Sequence, residues 1–174
     1  VKIAEDGEIL VKGENVMLGY WNRKEDTEKT LKDGWLYTGD IGEIDPNDGY
    51  LKITDRKKDI IVSAGGDNIS PAKLENQLSN SQAIDQCMVY GDGKNYLVSL
   101  IVLNKEFKNN IESKHLKEKI KEIIDNINTN LTLVEKIKKF HLISENFTIE
   151  NGLLTPTMKV KRNKVIAKYK NILE

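Results

Sequence analysis

The chain has 174 residues, 39% of them hydrophobic and 31% charged, a composition that allows a buried core and excludes a fibrous or disordered protein. Its 27 basic and 27 acidic residues balance, which gives no charge argument for a nucleic-acid partner. A single cysteine, Cys87, excludes an internal disulfide and, with only two histidines beside it, a cluster of zinc ligands. We therefore expect a globular cytoplasmic protein that holds no metal with its own residues and binds no nucleic acid.

Charge and hydropathy vary along the chain. Residues 1–104 carry 12 basic and 18 acidic residues, which leaves 15 and 9 for residues 105–174. The positive second part favours an anionic ligand or surface, although a solvated helix face is the commoner cause of such runs. The longest apolar stretch, at 96–103, is too short to span a bilayer and predicts a buried strand, so only peripheral membrane contact stays open.

Turn residues between short apolar runs predict a β-rich first third. Residues 7–12 and 35–54 are expected to form strands. The turn at 45–49 divides the second range into two strands that pair as an antiparallel hairpin. The polar residues 22–34 predict a short surface helix. Residues 59–62 predict the next strand, which follows a charged cluster typical of a junction between domains.

The rest of the chain predicts a mixture of helices and strands. Ser70 and Pro71 are typical of a helix start, and residues 86–103 predict a second hairpin. Apolar residues at three- and four-residue spacing predict a long helix over 113–130, followed by a strand at 140–144 and a basic final helix. The buried side of that last helix is expected to consist of Val165, Ile166, Tyr169 and Ile172.

The usual catalytic motifs are missing from the sequence. It has no phosphate loop, dinucleotide fingerprint, nucleophile elbow, HExxH pair or CxxC pair, so any chemistry must depend on isolated charges and loops. Cys87 lies in an apolar run and is expected to be a buried structural thiol rather than a nucleophile.

Five blocks of sequence, taken in their order and spacing, resemble the carboxyl-terminal third of the AMP-forming acyl-CoA synthetases, which belong to the adenylate-forming superfamily. The match is best with the long-chain fatty acid-CoA ligase branch, and it depends on all five blocks together, because one alone would be a weak signal. The blocks are GYW at 19–21, DGWLYTGDIG at 33–42, DRKKDIIVSAGGDNISPAKLE at 55–75, GDGKNYLVSLIV at 91–102 and LLTPTMKVKR at 153–162.

The resemblance implies an enzyme that carries out two steps in one site. The enzyme would join a fatty acid to the α-phosphate of ATP, with Mg²⁺ and release of pyrophosphate, and would then pass the acyl group to coenzyme A. The family's Mg²⁺ ligand, phosphate loop and acyl pocket would lie upstream of this chain. The chain is therefore expected to be a fragment that acts with a missing amino-terminal domain in cis and is inactive alone.

The fold class expected for such a fragment is α+β. Residues 1–55 would be the β-rich end of the large adenylating domain, and residues 56–174 would be the small mobile lid domain, with short sheets and packed helices. In the family this lid presents one face for adenylation and, after a rotation, another face for thioester formation.

The resemblance assigns roles to Asp40, Arg56 and Lys58. Asp40 would bind the ribose hydroxyls of ATP and AMP, because a carboxylate has two acceptor oxygens that suit a vicinal diol. Arg56 would contact the ribose and the nearby phosphate, and Lys58 would be the hinge of the lid. Without the resemblance, Asp40 would equally well be a turn residue, and the two basic residues would be a charged strand start.

Three further residues receive roles in the lid domain. Gly65 and Gly66 would face the pantetheine tunnel of coenzyme A, although a plain tight turn is the commoner role of paired glycines and is compatible with this one. Lys159 would be the catalytic lysine, whose ammonium bridges the attacking carboxylate and the α-phosphate. Met158 stands where other branches have glycine, which leaves the shape of this loop open.

Two other functions stay open at this point. One is an adenylating domain for an amino acid, an aryl acid or an acyl carrier protein, against which the TPTMKVKR form argues weakly. The other is a binding module with no catalysis of its own.

Overall fold

The computed structural model describes the backbone of residues 1–174 and every side chain except that of Ser113. The chain divides into two compact units, Val1–Ile60 and Ile61–Glu174. The first unit has one sheet and one short surface helix, and the second has two small sheets with packed helices, which confirms the predicted α+β class.

The first unit is built on a five-stranded antiparallel sheet. Its elements are β1 (Lys2–Ile3), β2 (Glu8–Val11), α1 (Lys24–Thr30), β3 (Leu31–Lys32), β4 (Trp35–Ile44) and β5 (Leu51–Arg56). The long strand β4 pairs with β2, β3 and β5, and the predicted turn joins β4 to β5. Within that turn the side chains of Asp45 and Asp48 accept hydrogen bonds from the N–H groups of Asn47 and Tyr50, which is why this polar segment reverses the chain.

The second unit contains a two-stranded and a three-stranded sheet with helices. Its elements are β6 (Ile61–Val62), β7 (Asn68–Ile69), α2 (Pro71–Ser79), β8 (Ile84–Tyr90), β9 (Leu97–Leu103), α3 (Lys105–Asn110), α4 (Ser113–Asn128), β10 (Ile137–Ile143), α5 (Arg162–Lys168) and α6 (Lys170–Leu173). Strands β8 and β9 form the predicted antiparallel hairpin. Strand β10 adds to β9 in parallel, which gives the order β10-β9-β8.

Both faces of this three-stranded sheet are covered. Successive side chains of a strand point to opposite faces, so Cys87 and Val89 join one apolar cluster while Met88 joins another. Leu74 of α2 and Ile120 of α4 cover the first face, and the second is covered by the carboxyl-terminal segment, including Phe147, Leu153, Leu154, Val165 and Leu173. The loop that carries Lys159 is therefore fastened to the sheet by its own apolar neighbours.

The start of α2 follows the prediction in detail. The Ser70 hydroxyl accepts a hydrogen bond from the N–H of Lys73, at 3.2 Å, and Pro71 is the first helical residue. The predicted strand at 59–62 shortens to β6, because Lys57–Asp59 form a single 3₁₀ turn. The N–H of Ile60, just after this turn, donates to the carbonyl of Arg56.

The final helix differs from its prediction at one residue. It breaks at Tyr169, whose ψ of 19° lies outside the helical range, and continues as α6. The break changes the phase of the apolar stripe, so Leu173 is buried and Ile172, which was predicted to be buried, is 39% exposed. The prediction for Ile172 was therefore wrong.

Four short elements were not predicted, namely β1, β3, β7 and α3, and β3 lies in the segment 22–34 that was predicted to be helical throughout. Helix α3 is capped by Asn104, the residue before it, whose side-chain oxygen accepts hydrogen bonds from the N–H groups of Glu106 and Phe107. Strand β7 has only two residues and pairs with β6. Among the helices of the described chain, none is long and apolar enough to cross a membrane.

Candidate functional site

Asp40 and Arg56 lie opposite each other on β4 and β5. The Arg56 Nε is 2.8 Å from the Asp40 Oδ1, with 24% of the Asp40 side chain and 51% of the Arg56 side chain exposed. The hairpin turn and a bulge between Ile41 and Gly42 set the register that makes them partners. The structure thus brings together the two predicted nucleotide-binding residues.

The backbone beside Asp40 is held by a buried acid that the sequence analysis did not identify. Glu8 is 4% exposed, and its Oε1 accepts a hydrogen bond of 2.8 Å from the N–H of Gly39. Gly39 has a φ of +71°, a left-handed conformation that glycine adopts without strain. The Thr38 hydroxyl donates to the carbonyl of Ile9, at 2.7 Å, and accepts from the N–H of Asp40, at 3.1 Å. An acid at the start of the apolar strand EILV is the signal that could have revealed Glu8.

Lys57 binds the same acid from the other side. Its Nζ donates to Glu8 Oε2 at 2.8 Å and to Asp6 Oδ2 at 2.6 Å. The hydrogen bonds to Asp6 and Glu8 raise the pKa of Lys57, and the hydrogen bond from Lys57 lowers the pKa of Asp6. Lys58, the predicted hinge residue, is exposed in the adjoining 3₁₀ turn, so the residue before it is tied to the first unit.

An open cleft of about 730 Å³ adjoins the Asp40 and Arg56 pair within the first unit. The side chains that line it include aromatic, hydroxyl and charged groups, among them Tyr20, Tyr37, Thr38, Asp40, Arg56 and Lys57. A cleft of this size, with a carboxylate and a guanidinium at its wall, is suited to a ribose and phosphate group.

Gly65 and Gly66 form the tip of a tight turn between β6 and β7. The Ser63 Oγ accepts from the N–H groups of Gly65, at 3.2 Å, and Asp67, at 3.1 Å, while the N–H of Gly66 donates to the Ser63 carbonyl. Gly66 has a φ of +88°, and a Cβ built on it would meet no described atom within 4 Å. The turn conformation, and not crowding by neighbouring atoms, therefore requires glycine at position 66. The open space beside Gly66 leaves room for a ligand.

Lys159 lies at the tip of a small hairpin whose legs pair Leu154 with Val160. The N–H of Thr155 donates to the Lys159 carbonyl at 2.8 Å, and the N–H of Lys159 donates to the Thr155 Oγ1 at 3.0 Å. Met158 has a φ of +62°, so it adopts the left-handed conformation that glycine would adopt without strain. The Lys159 side chain is exposed at this tip.

The predicted residues thus form separate groups. Asp40 and Arg56 are paired in the first unit, with Lys58 near its end, whereas Gly65 and Gly66 share one loop of the second unit and Lys159 occupies another. Among the side chains that the structure describes, no group of three His, Cys, Asp or Glu residues is arranged to hold a metal ion.

Comparison with known proteins identifies the family. The family model described as "AMP-binding enzyme C-terminal domain" matches residues 58–174, and the chain belongs to this family. The chain is 40% identical over 190 residues to the long-chain-fatty-acid–CoA ligase FadD15 of Mycobacterium tuberculosis. This alignment covers 100% of this chain and 32% of that protein. It is also 40% identical over 178 residues to the long-chain-fatty-acid–CoA ligase 5 of Mus musculus, covering 92% of this chain and 26% of that protein.

Solved structures of adenylate-forming enzymes have the same fold. The adenylation domain of a carboxylate reductase from Mycobacterium chelonae superimposes with a TM-score of 0.85 at 30% identity, over 96% of this chain and 27% of that one. The o-succinylbenzoate coenzyme A synthetase of Bacillus subtilis in complex with AMP superimposes with a TM-score of 0.66 at 32% identity, over 91% of this chain and 29% of that one. The chain therefore spans about a third or less of the length of these relatives.

Proposed function

We propose that this chain is the carboxyl-terminal part of an AMP-forming long-chain fatty acid-CoA ligase. The whole protein would make acyl-AMP from ATP and a fatty acid and would then transfer the acyl group to coenzyme A. The pairing of Asp40 with Arg56 at the wall of the cleft is the observation that carries the nucleotide-binding part of the proposal. The names of the relatives support the choice of acid.

Asp40 is proposed to accept hydrogen bonds from the ribose hydroxyls. Its carboxylate has two oxygens, and Arg56 contacts one of them, which leaves acceptor capacity for a diol. The Arg56 guanidinium has further N–H groups that are suited to a phosphate oxygen. Because Glu8 and Thr38 fix the backbone on either side of Gly39, Asp40 is held in place before the nucleotide arrives.

Lys159 is proposed to carry out the adenylation step. Its exposed ammonium, on a hairpin tip that is held by hydrogen bonds of Thr155, would bridge the fatty acid carboxylate and the α-phosphate. Charge shifts between these two groups during the displacement, so a fixed positive charge stabilises the transition state more than the ground state.

The division into domains is part of the proposal. Residues 1–55 would belong to the large adenylating domain and residues 56–174 to a lid that rotates about Lys58, with Gly65 and Gly66 facing coenzyme A in the second step. The Lys57 contacts to Asp6 and Glu8 support this, because they fix the chain just before the hinge. The Mg²⁺ ligand would come from the missing amino-terminal domain in cis. The cytoplasmic location and peripheral membrane contact stay predictions.

The first experiment is ATP–pyrophosphate exchange by the whole protein with acetate, octanoate, palmitate or one amino acid. Exchange that is strongest with palmitate is the expected result. Replacement of Lys159 by Ala should then slow adenylation by roughly a hundred- to a thousandfold and largely spare the conversion of preformed acyl-AMP to acyl-CoA. Equal losses in both half-reactions would contradict the role given to Lys159.

A second candidate is an adenylating enzyme for another acid or acceptor. Structural likeness to carboxylate reductase and o-succinylbenzoate synthetase domains favours it. Exchange with the amino acid alone would support this candidate, and no exchange with any acid would favour a non-catalytic binding module. Residues 1–174 alone are expected to show no turnover, because half of the nucleotide site is missing.

A further inference from the structure

Arg162 follows Lys159 by three residues, and its guanidinium is engaged with the protein. Its Nη2 donates to the Glu75 Oε2 at 2.5 Å, and its Nη1 donates to the carbonyl of Val89 at 3.2 Å. The side chains of Arg162 and Glu75 are 17% and 18% exposed, respectively. Arg162 therefore differs from its neighbours Lys161 and Lys164, which are exposed.

The contacts of Glu75 close a ring of hydrogen bonds. Its second oxygen, Oε1, accepts from the N–H of Val89 at 2.7 Å, so the carboxylate and the guanidinium bind the two backbone groups of one residue. Val89 belongs to β8, which stands at the edge of the sheet as described. Its outward N–H and C=O thus find side-chain partners where another strand would otherwise supply them.

This ring joins three elements: α2 through Glu75, β8 through Val89, and the start of α5 through Arg162. Arg162 is also the end of one leg of the Lys159 hairpin. The other leg is held by Leu153 and Leu154, which are both buried, and the N–H of Lys161 donates to the Leu153 carbonyl at 2.8 Å. Three residues span at most about 10 Å, so a displacement of Arg162 would be transmitted to Lys159.

We propose that the Arg162–Glu75 pair is a positioning contact that sets the place of Lys159 for adenylation. The proposal rests on the proposed function, because it assumes that Lys159 acts in the first half-reaction. The apolar leg fixes how deeply the hairpin is seated, and the ion pair fixes its position along β8. A charge that is held within a narrow range of positions accelerates the reaction more than a mobile charge does, since reaction rates fall steeply with small displacements.

The central test compares half-reactions in the whole ligase. Arg162→Met should slow palmitate-dependent pyrophosphate exchange by roughly tenfold to a hundredfold, while conversion of preformed acyl-AMP to acyl-CoA stays largely unchanged. Arg162→Lys keeps the charge but lacks the fork that reaches both partners, so it should recover part of the exchange rate. Lys164→Met removes one positive charge from the same helix at an exposed position and should change neither half-reaction.

Glu75→Gln provides an independent variant with a milder change of shape. It should also slow exchange selectively, and the double variant with Arg162→Met should be about as slow as Arg162→Met alone, because both changes break one contact. Urea midpoints of all variants are measured in parallel. If the rates of both half-reactions fall in proportion to the urea midpoints of the variants, the pair only stabilises the fold and the proposal is overturned. An unchanged exchange rate in Arg162→Met would also overturn it.

The wild-type protein separates this proposal from the one on which it rests. If wild-type protein gives no palmitate-dependent exchange, the ligase function fails and the positioning role falls with it. If wild-type protein is active and Lys159→Ala slows adenylation, but the Arg162 and Glu75 variants behave like Lys164→Met, only the positioning role is overturned.

Discussion

The ion pair between Asp40 and Arg56 contributes little to the stability of the first unit, because half of the Arg56 side chain is exposed to solvent. The use proposed for the two groups is to bind a nucleotide in the cleft beside them. At the scale of single residues, changes here should therefore alter nucleotide binding rather than folding.

We expect Asp40→Asn in the whole protein to weaken AMP binding by roughly tenfold to a hundredfold, because a charged acceptor is replaced by a neutral one. The urea midpoint should stay the same. Isothermal titration with AMP and an unfolding curve check both statements. Glu43→Gln is the matched control, since Glu43 lies on the same strand, is exposed and contacts Lys52 only at 3.8 Å. Equal weakening by the two substitutions would contradict the role of Asp40.

Cys87 provides a second test at this scale. Desolvation by burial raises the pKa of its thiol from 9.0 to about 11, and its Sγ donates to the Glu75 carbonyl at 3.5 Å. At pH 8 the thiolate fraction of the folded protein should be about a hundredfold below that of the unfolded chain, and access is restricted as well. We expect a thiol reagent to label Cys87 slowly in buffer and rapidly in urea. Fast labelling of the folded chain would show that Cys87 is not buried as described.

At the scale of elements, the Lys159 hairpin depends on a residue in a disfavoured conformation. Met158 has a φ of +62°, and its side chain is exposed, so packing does not explain the choice of residue. The left-handed conformation costs an L-amino acid about 1–2 kcal/mol, and the cost is highest for β-branched side chains.

We expect Met158→Val to destabilise the chain by about 1 kcal/mol and Met158→Gly to leave it at least as stable as the wild type. Glycine relieves the left-handed strain but makes the unfolded chain more flexible, so its net effect is small. Met158→Leu, which keeps an unbranched Cβ, should match the wild type. Urea unfolding of residues 1–174 measures all three, and a valine variant as stable as the glycine variant would contradict the explanation.

The hairpins and the longer helices could be predicted because their signals are local. A turn at 45–49 and a serine–proline pair at 70–71 specify their structures within a few residues. The Arg162–Glu75 pair spans 87 residues and the Lys57–Glu8 pair spans 49, and no periodicity reports such contacts. The parallel pairing of β10 with β9 and the break at Tyr169 are likewise decided by tertiary packing. The site residues could be predicted only from the resemblance to a family, and the groups that hold them in place became visible only in the structure.

At the scale of the whole molecule, apolar burial is unequal between the two units. Among the described side chains of the first unit, only Ile9 and Leu10 are buried apolar residues, whereas the second unit has two apolar clusters. Large apolar side chains of the first unit are exposed, namely Val1, Leu18, Tyr20, Trp21, Ile44, Tyr50, Leu51 and Ile53. The amino-terminal domain that is proposed to act in cis would cover such a surface.

We therefore expect residues 61–174 to fold alone and residues 1–60 to remain unfolded alone, because only the former have enough buried apolar surface to offset the loss of chain entropy. Circular dichroism and urea titration of the two separate pieces check this. Residues 61–174 should unfold cooperatively. A cooperative transition in residues 1–60, or its absence in residues 61–174, would contradict the prediction.

The ring formed by Glu75, Arg162 and Val89 also has a consequence for self-association. An open strand edge is a site where a second copy can add a strand and begin an aggregate. Around Val89 the edge of β8 is already bonded to side chains of its own chain, and the charged groups of the ring would have to be displaced before an intermolecular strand could form there. The contact proposed to place Lys159 thus also protects the edge of the sheet from pairing with another molecule.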